Sequence, residues 1–178
     1  EARSFIESGD LICLGVMDTE RNATFSDMAQ RELKLIFDAV NEILTITVDA
    51  FAKGDNEAAK RIEPLEETID SLVEMMRAHH IERLTNGSCD TQSGISFMEA
   101  LTNMERIGDH CSNIAVHLIQ RVNRNEIFDI HAHLRHVHEG VTEEYKALYR
   151  YYETQYCDPI NTDKNPAASI AEPSAVCQ

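Results

Sequence analysis

Two runs in this chain place carboxylates four residues apart, Glu66-Glu67-Thr68-Ile69-Asp70 and Glu105-Arg106-Ile107-Gly108-Asp109. On a helix, residues at i and i+4 share a face, with Cβ atoms about 5–6 Å apart. Glu66 falls on the apolar line Ala59, Ile62, Ile69, Val73, Met76, and Glu105 on the line Leu101, Gly108, Ser112, Ala115, Ile119. Both glutamates interrupt faces that pattern as core, and Asp70 and Asp109 flank them. A like-charge pair at this spacing costs roughly 0.2–0.5 kcal/mol even on a surface. Burial adds to that, because a carboxylate leaving water must be paired, protonated or bound to metal. Two such pairs on consecutive helices can face each other and set Glu66, Asp70, Glu105 and Asp109 around one gap, a donor set for a hard cation. The competing reading is that the register drifts and the pairs are solvated or bridged by Arg and Lys side chains such as Arg31, Arg61 or Arg106. A carboxylate-bridged di-iron enzyme is disfavoured. Such sites add Glu-x-x-His ligands, and none of the eight histidines has Glu or Asp three residues before it.

Other chemistry-bearing residues read as packing or solvated surface. His131, His133, His136 and His138 cluster, but their spacing divides them between two sides of a helix, so a solvated helix start is preferred to a metal tract. His79 and His80 fall at a helix end, where positive charge suits the dipole. His110 stands beside Asp109, placed to ligate or to donate to it. Tyr145, Tyr149, Tyr152 and Tyr156 follow three-and-four spacing, as packing for a last helix or a face between copies. No phosphate-cradling glycine loop and no nucleophile–base motif is present.

The elements that must position these residues read as helices throughout. Ser26 caps the first, whose apolar face runs Ala29, Leu33, Ile36, Phe37, Val40, Leu44, Thr47, Val48, Phe51, and Gly54 ends it. Asp55 or Asn56 starts a second that reaches about Leu84, with Pro64 either near its true start or at a kink. Asn86-Gly87-Ser88 breaks the chain. A third helix spans from about Asp90 or Ser93 to Asn123, and a fourth about Asp129 to Tyr156. Short connections make neighbours antiparallel, so the expected fold is all-α, an up-down helical bundle. The expected layout is an N-terminal helical segment over 1–25, the bundle over 26–157, and a flexible tail over 158–178.

Composition narrows the partners. The chain has 178 residues and a net charge of −15, which opposes contact with nucleic-acid phosphates or direct binding to anionic lipid. It is compatible with cations. Five cysteines with no C-x-x-C spacing support neither a disulfide framework nor a thiolate zinc site, and a reducing compartment is the simpler reading. The longest apolar run, Leu11 to Met17, is far short of the ~20 residues that cross a bilayer.

The run from Glu105 to Ala115, ERIGDHCSNIA, resembles the E-R-I-G-D-x-A-x-N-I-A signature of PhoU-type domains. Glu66-Glu67-Thr68-Ile69-Asp70-Ser71-Leu72 resembles the E-x-x-I-D-x-L segment that the family places one helix earlier. Together they resemble one PhoU unit over about Asp27 to Ile119, a three-helix bundle here followed by an additional C-terminal helix. The resemblance implies a non-enzymatic role in phosphate uptake and its control. It implies metal binding at Glu66, Asp70, Glu105 and Asp109, with divalent, iron or zinc cations as the cofactors. Free-standing members carry two units in tandem, and one is found here. A single unit is similar to the C-terminal cytoplasmic domain of bacterial Na/phosphate cotransporters, which fits a sequence opening with Glu1 rather than Met. The implied partner is the chain's own or an associated membrane transporter domain, with self-association open. The implied location is cytoplasmic, at the inner face of the cell membrane. The alternative is a free-standing regulator of phosphate uptake and signalling.

Overall fold

The computed structural model describes residues 25–122 and 142–163. Among them the chain is all-α, with no strand. The first helix, α1, spans Asp27–Lys53. Its N-cap Ser26 has extended backbone, and its hydroxyl accepts from the Ala29 amide at 3.3 Å. Gly54 stops it at φ 64°, a left-handed conformation that costs glycine little, and its N–H returns to the Ala50 carbonyl. The buried line is Ala29, Leu33, Ile36, Val40, Ile43 and Ala50. Val48 and Phe51, expected on that face, are exposed. They stand 100° round the helix from Thr47 and Ala50, outside the reach of the neighbouring helices.

One helix was expected from Asp55 to Leu84, and the structure has two. Asp55 accepts from the Glu57 and Ala58 amides and caps a single turn, α2, Asn56–Ala59. After Lys60 and Arg61 the long helix α3 begins, Ile62–Thr85. Pro64 is its third residue, where the missing N–H would have no intrahelical acceptor anyway, so the proline marks the start and produces no kink. Gly87, at φ 75°, turns the chain. Asp90 then caps α4, Thr91–Val122, by accepting from the Gln92 and Ser93 amides.

The helices α1, α3 and α4 pack against one another as a three-helix unit. Its core holds Ile36, Ile43, Ile69, Leu72, Met76 and Leu101, all fully buried. The described part of the C-terminal helix, α5, spans Glu143–Tyr152, capped by the Thr142 hydroxyl. It continues through a π-helical turn, Glu153–Cys157, into α6, Asp158–Asp163. Helical structure therefore runs past the point where the tail was placed, and Ile160 is buried against the core.

The tyrosine face fixes this layer onto the bundle. Tyr152 and Tyr156 are buried. The Arg61 guanidinium donates to the Tyr152 hydroxyl at 3.3 Å, and the Tyr156 hydroxyl donates to Glu42 at 2.5 Å. Tyr149 shares a 3.2 Å hydrogen bond with Ser71 on α3. Cys89, Cys111 and Cys157 are free thiols. Residues 1–24 and the histidine cluster at 131–138 lie outside the described residues.

Candidate functional site

Glu66 and Asp70 stand one turn apart on α3, and α4 presents Asp109 to them across the helix seam. Each of the three offers a carboxylate oxygen, and these oxygens lie within 4.8 Å of one another. Glu66 and Asp70 are half-buried and Asp109 is exposed, so the cluster is open to solvent on the α4 side. Asp70 Oδ1 is buried and accepts no hydrogen bond among the described residues.

Packing explains why the carboxylates meet. Gly108 faces α3, and a Cβ built on it would lie 3.6 Å from Glu66 Cγ and 3.7 Å from Ile69 Cγ2. A glycine inside a helix costs about 1 kcal/mol against alanine, which a close approach by another backbone would explain. The neighbours are instead side chains at ordinary contact distance, so the position has room for a methyl group.

Burial and mutual repulsion act together on the cluster. Loss of hydration is the largest cause raising the Glu66 carboxyl, to about 8, with Glu63 and Asp70 adding to it. Burial, then Glu105 and Asp109, raise Asp70 to about 6, against a smaller opposing pull from Arg77. Carboxylates this close cannot all ionise cheaply, and either a proton or a metal cation relieves them. The Tyr145 hydroxyl of α5 is raised as well, first by burial and then by Glu67, Glu63 and Glu66.

The fourth expected ligand is engaged elsewhere. Arg77 on α3 forks onto Glu105, with Nη2 2.6 Å from Oε2 and Nη1 3.5 Å from Oε1. None of the arginines considered from sequence, Arg31, Arg61 or Arg106, makes this bridge. The missed residue has a recognisable position: Arg77 is seven residues beyond Asp70 and so returns to the same helix face. Glu63, one turn before Glu66, accepts from the Ser112 hydroxyl at 2.6 Å. His110 is exposed beside Asp109.

His79 and His80, read from the sequence as a helix end where positive charge suits the dipole, are buried. His79 Nδ1 lies 2.7 Å from Glu32 Oε1, and Arg83 Nη2 lies 2.8 Å from Glu32 Oε2. The His80 ring stacks on Phe97 with centroids 5.1 Å apart. Burial, and then the Arg83 charge, lower its pKa below the usual histidine value. These residues continue the α3 core face one turn beyond Met76.

Compared with known families, the chain matches the PhoU domain over residues 33–117. The matched stretch contains Glu66, Asp70, Glu105 and Asp109 and most of α1, α3 and α4, while α5 and α6 lie beyond it. Among characterised proteins, the chain is similar to the "Phosphate-specific transport system accessory protein PhoU homolog 1" of Thermotoga maritima, at 25% identity over 89 residues. That alignment covers 50% of this chain and 38% of the relative, so the chain spans well under two thirds of the relative's length. No solved structure matches. No helix among the described residues is long and apolar enough to cross a membrane.

Proposed function

We propose that this PhoU domain is a regulatory or accessory element of a phosphate transporter, acting by contact with a membrane domain rather than by turning over a substrate. The observation that carries the reading is the coincidence of the family match over residues 33–117 with three carboxylates converging at one α3–α4 seam. In this reading Glu66, Asp70 and Asp109 hold a cation. The donor set is all oxygen, which suits a hard divalent ion and also admits iron or zinc. A bound cation supplies positive charge that ties α3 to α4 and replaces the proton on Glu66. The exposed side at Asp109 gives the ion its entry, and the Arg77 fork keeps Glu105 out of the donor set. The finer reading is a domain attached to a sodium-dependent phosphate transporter at the cytoplasmic face of the membrane.

The printed name of the Thermotoga maritima relative, an accessory protein of a phosphate-specific transport system, favours a second reading. In it the chain belongs to a separate regulator of an importer. The coding sequence upstream of Glu1 separates the two. Several hydrophobic spans there support the attached domain, and a nearby start codon supports the separate regulator.

The test of function is deletion of the region encoding residues 26–163 in cells. Sodium-dependent phosphate uptake or its repression by phosphate should change. Uptake and repression identical to the parent would refute a transport role. The cation is tested by elemental analysis of untagged protein prepared without chelator. The parent should carry metal that the Glu66→Gln/Asp109→Asn variant lacks, and equal content in both would remove this site.

A further inference from the structure

The carboxylate cluster is one end of a longer feature. The α3–α4 seam continues from Asp70 and Asp109 through the Arg77–Glu105 fork to the helix ends at Leu84 and Thr91. There it opens into an apolar groove of about 650 Å³ walled by His80, Ile81, Leu84, Ile95 and Met98. Ile81 is 61% exposed, Ile95 48% and Leu84 41%. Single exposed apolar side chains are ordinary on a surface, but three branched ones lining one groove mark an interaction site.

The groove is pre-formed. Its inner wall is the buried His80 ring, held by its stack on Phe97. Gly94 lets the α4 backbone close on that ring, since a Cβ there would sit 2.9 Å from His80 Nε2. A rigid wall spares a ligand the cost of ordering the site.

We infer that the α3–α4 seam is the docking site for a basic amphipathic helix of a partner protein, its apolar end in the Ile81–Ile95 groove and its Lys- or Arg-bearing end over Glu66, Asp70 and Asp109. Three observations select this occupant. The seam is walled by helix side chains and offers no sheet edge, so a ligand must satisfy its own backbone hydrogen bonds, as a helix does. From Glu66 to Leu84 the seam runs about 27 Å at 1.5 Å per residue, the length of a helix of about 18 residues. The charge left over along the seam is negative: Asp70 and Asp109 stand at one end, exposed Glu74 lies between, Arg77 is paired with Glu105, and the chain's net charge is −15. A second copy brings the same negative charge, and an anionic lipid surface is repelled by it. The inference does not require a bound cation and is tested without one.

The probe is a fluorescein-labelled synthetic peptide of about 18 residues. It carries leucines at three-and-four spacing in one half and lysines in the other, and is titrated against the full chain in chelator by fluorescence anisotropy. Saturable binding is expected. Ile81→Glu/Ile95→Glu should weaken it about tenfold or more, as loss of buried anchor contacts does. Glu66→Gln/Asp70→Asn/Asp109→Asn should flatten its salt dependence. A scrambled peptide of the same composition should bind weakly. Equal affinity for the scrambled peptide, or for the Ile81→Glu/Ile95→Glu variant, overturns the inference. So does a concentration-dependent dimer that the isoleucine variant abolishes, which assigns the face to a second copy. Anionic vesicles that capture the parent and not that variant assign it to a membrane. If the parent binds no peptide and the isoleucine variant loses several degrees in Tm, the groove is filled by the chain's own residues and the inference also fails.

Discussion

Burial and neighbouring carboxylates raise Glu66 to about 8 and Asp70 to about 6, from ordinary values of 4.5 and 3.8. Between each ordinary value and its raised one, the folded chain binds more protons than the unfolded chain. Stability therefore falls as pH rises through that window, from about 4.5 to 8 for Glu66 and from 3.8 to about 6 for Asp70. The sign is opposite to that of a salt-bridged carboxylate, because here ionisation in the folded state is the unfavourable event. Glu66→Gln removes the charge and keeps the shape. In chelator it should raise Tm by a few degrees at pH 9, corresponding to roughly 1 kcal/mol for a domain of this size, and change it little at pH 5. Thermal melts across pH measure this, and parallel curves for parent and variant would contradict it. A divalent cation should raise the parent's Tm more at pH 8 than at pH 5, since metal and proton compete for the same oxygens. The carboxylates were legible as residues out of place on core faces. The Arg77–Glu105 fork was not, although Arg77 shares the face of Glu66 and Asp70. Which α4 residue it meets depends on the axial offset between α3 and α4, and helical periodicity in one strand of sequence carries no information on that offset.

At the level of elements, caps and breakers were the readable part. Ser26, Gly54 and Asp90 each do in the structure what their chemistry suggests, and Pro64 resolves as a first-turn residue. The ends of the amphipathic faces were harder to place. On α1 the stripe was carried too far, to Val48 and Phe51. On α3 it was stopped too soon, at Met76, because histidines are not apolar by type. Yet His79 and His80 follow Met76 by three and four residues and keep the core angle, and a partner from α1 makes their burial tolerable. Two glycines on α4 give opposed predictions. Gly94→Ala places a methyl 2.9 Å from a ring that is stacked and cannot swing away, so overpacking of about 1–3 kcal/mol should outweigh any gain in helix propensity. Gly108→Ala meets only ordinary contacts at 3.6–3.8 Å, so the better propensity of alanine should win and stabilise by up to about 1 kcal/mol. Urea unfolding of the two variants decides it, and the same sign for both would show the packing to be misjudged.

The molecule as a whole joins its three long helices differently along their length. The middle is an apolar core of Ile36, Ile43, Ile69, Leu72 and Leu101. Towards the α1 N-terminus the joint is ionic: Glu32 of α1 meets His79 and Arg83 of α3, and Arg83 lies over the α4 ring of Phe97, 5.0 Å from its centroid. All three charged or polar members are less than a tenth exposed, with Glu32 at 2%. Such a knot contributes little net stability against an apolar replacement, because both ions leave water to form it. Its value lies in register, since only one alignment of α1 against α3 puts a carboxylate between His79 and Arg83. Breaking it one-sidedly is costly. Glu32→Ala leaves the Arg83 guanidinium buried without its counter-charge and should cost about 3–5 kcal/mol in urea unfolding. Glu32→Leu/Arg83→Met, which removes both charges and keeps the volume, should recover most of that loss. The double variant should then differ from parent mainly in how sharply its helices are fixed, read as broadened amide resonances near Phe97. If the single and double losses were simply additive, Glu32 and Arg83 would not be acting as a pair, and the register of α1 on α3 would have to come from the apolar core alone.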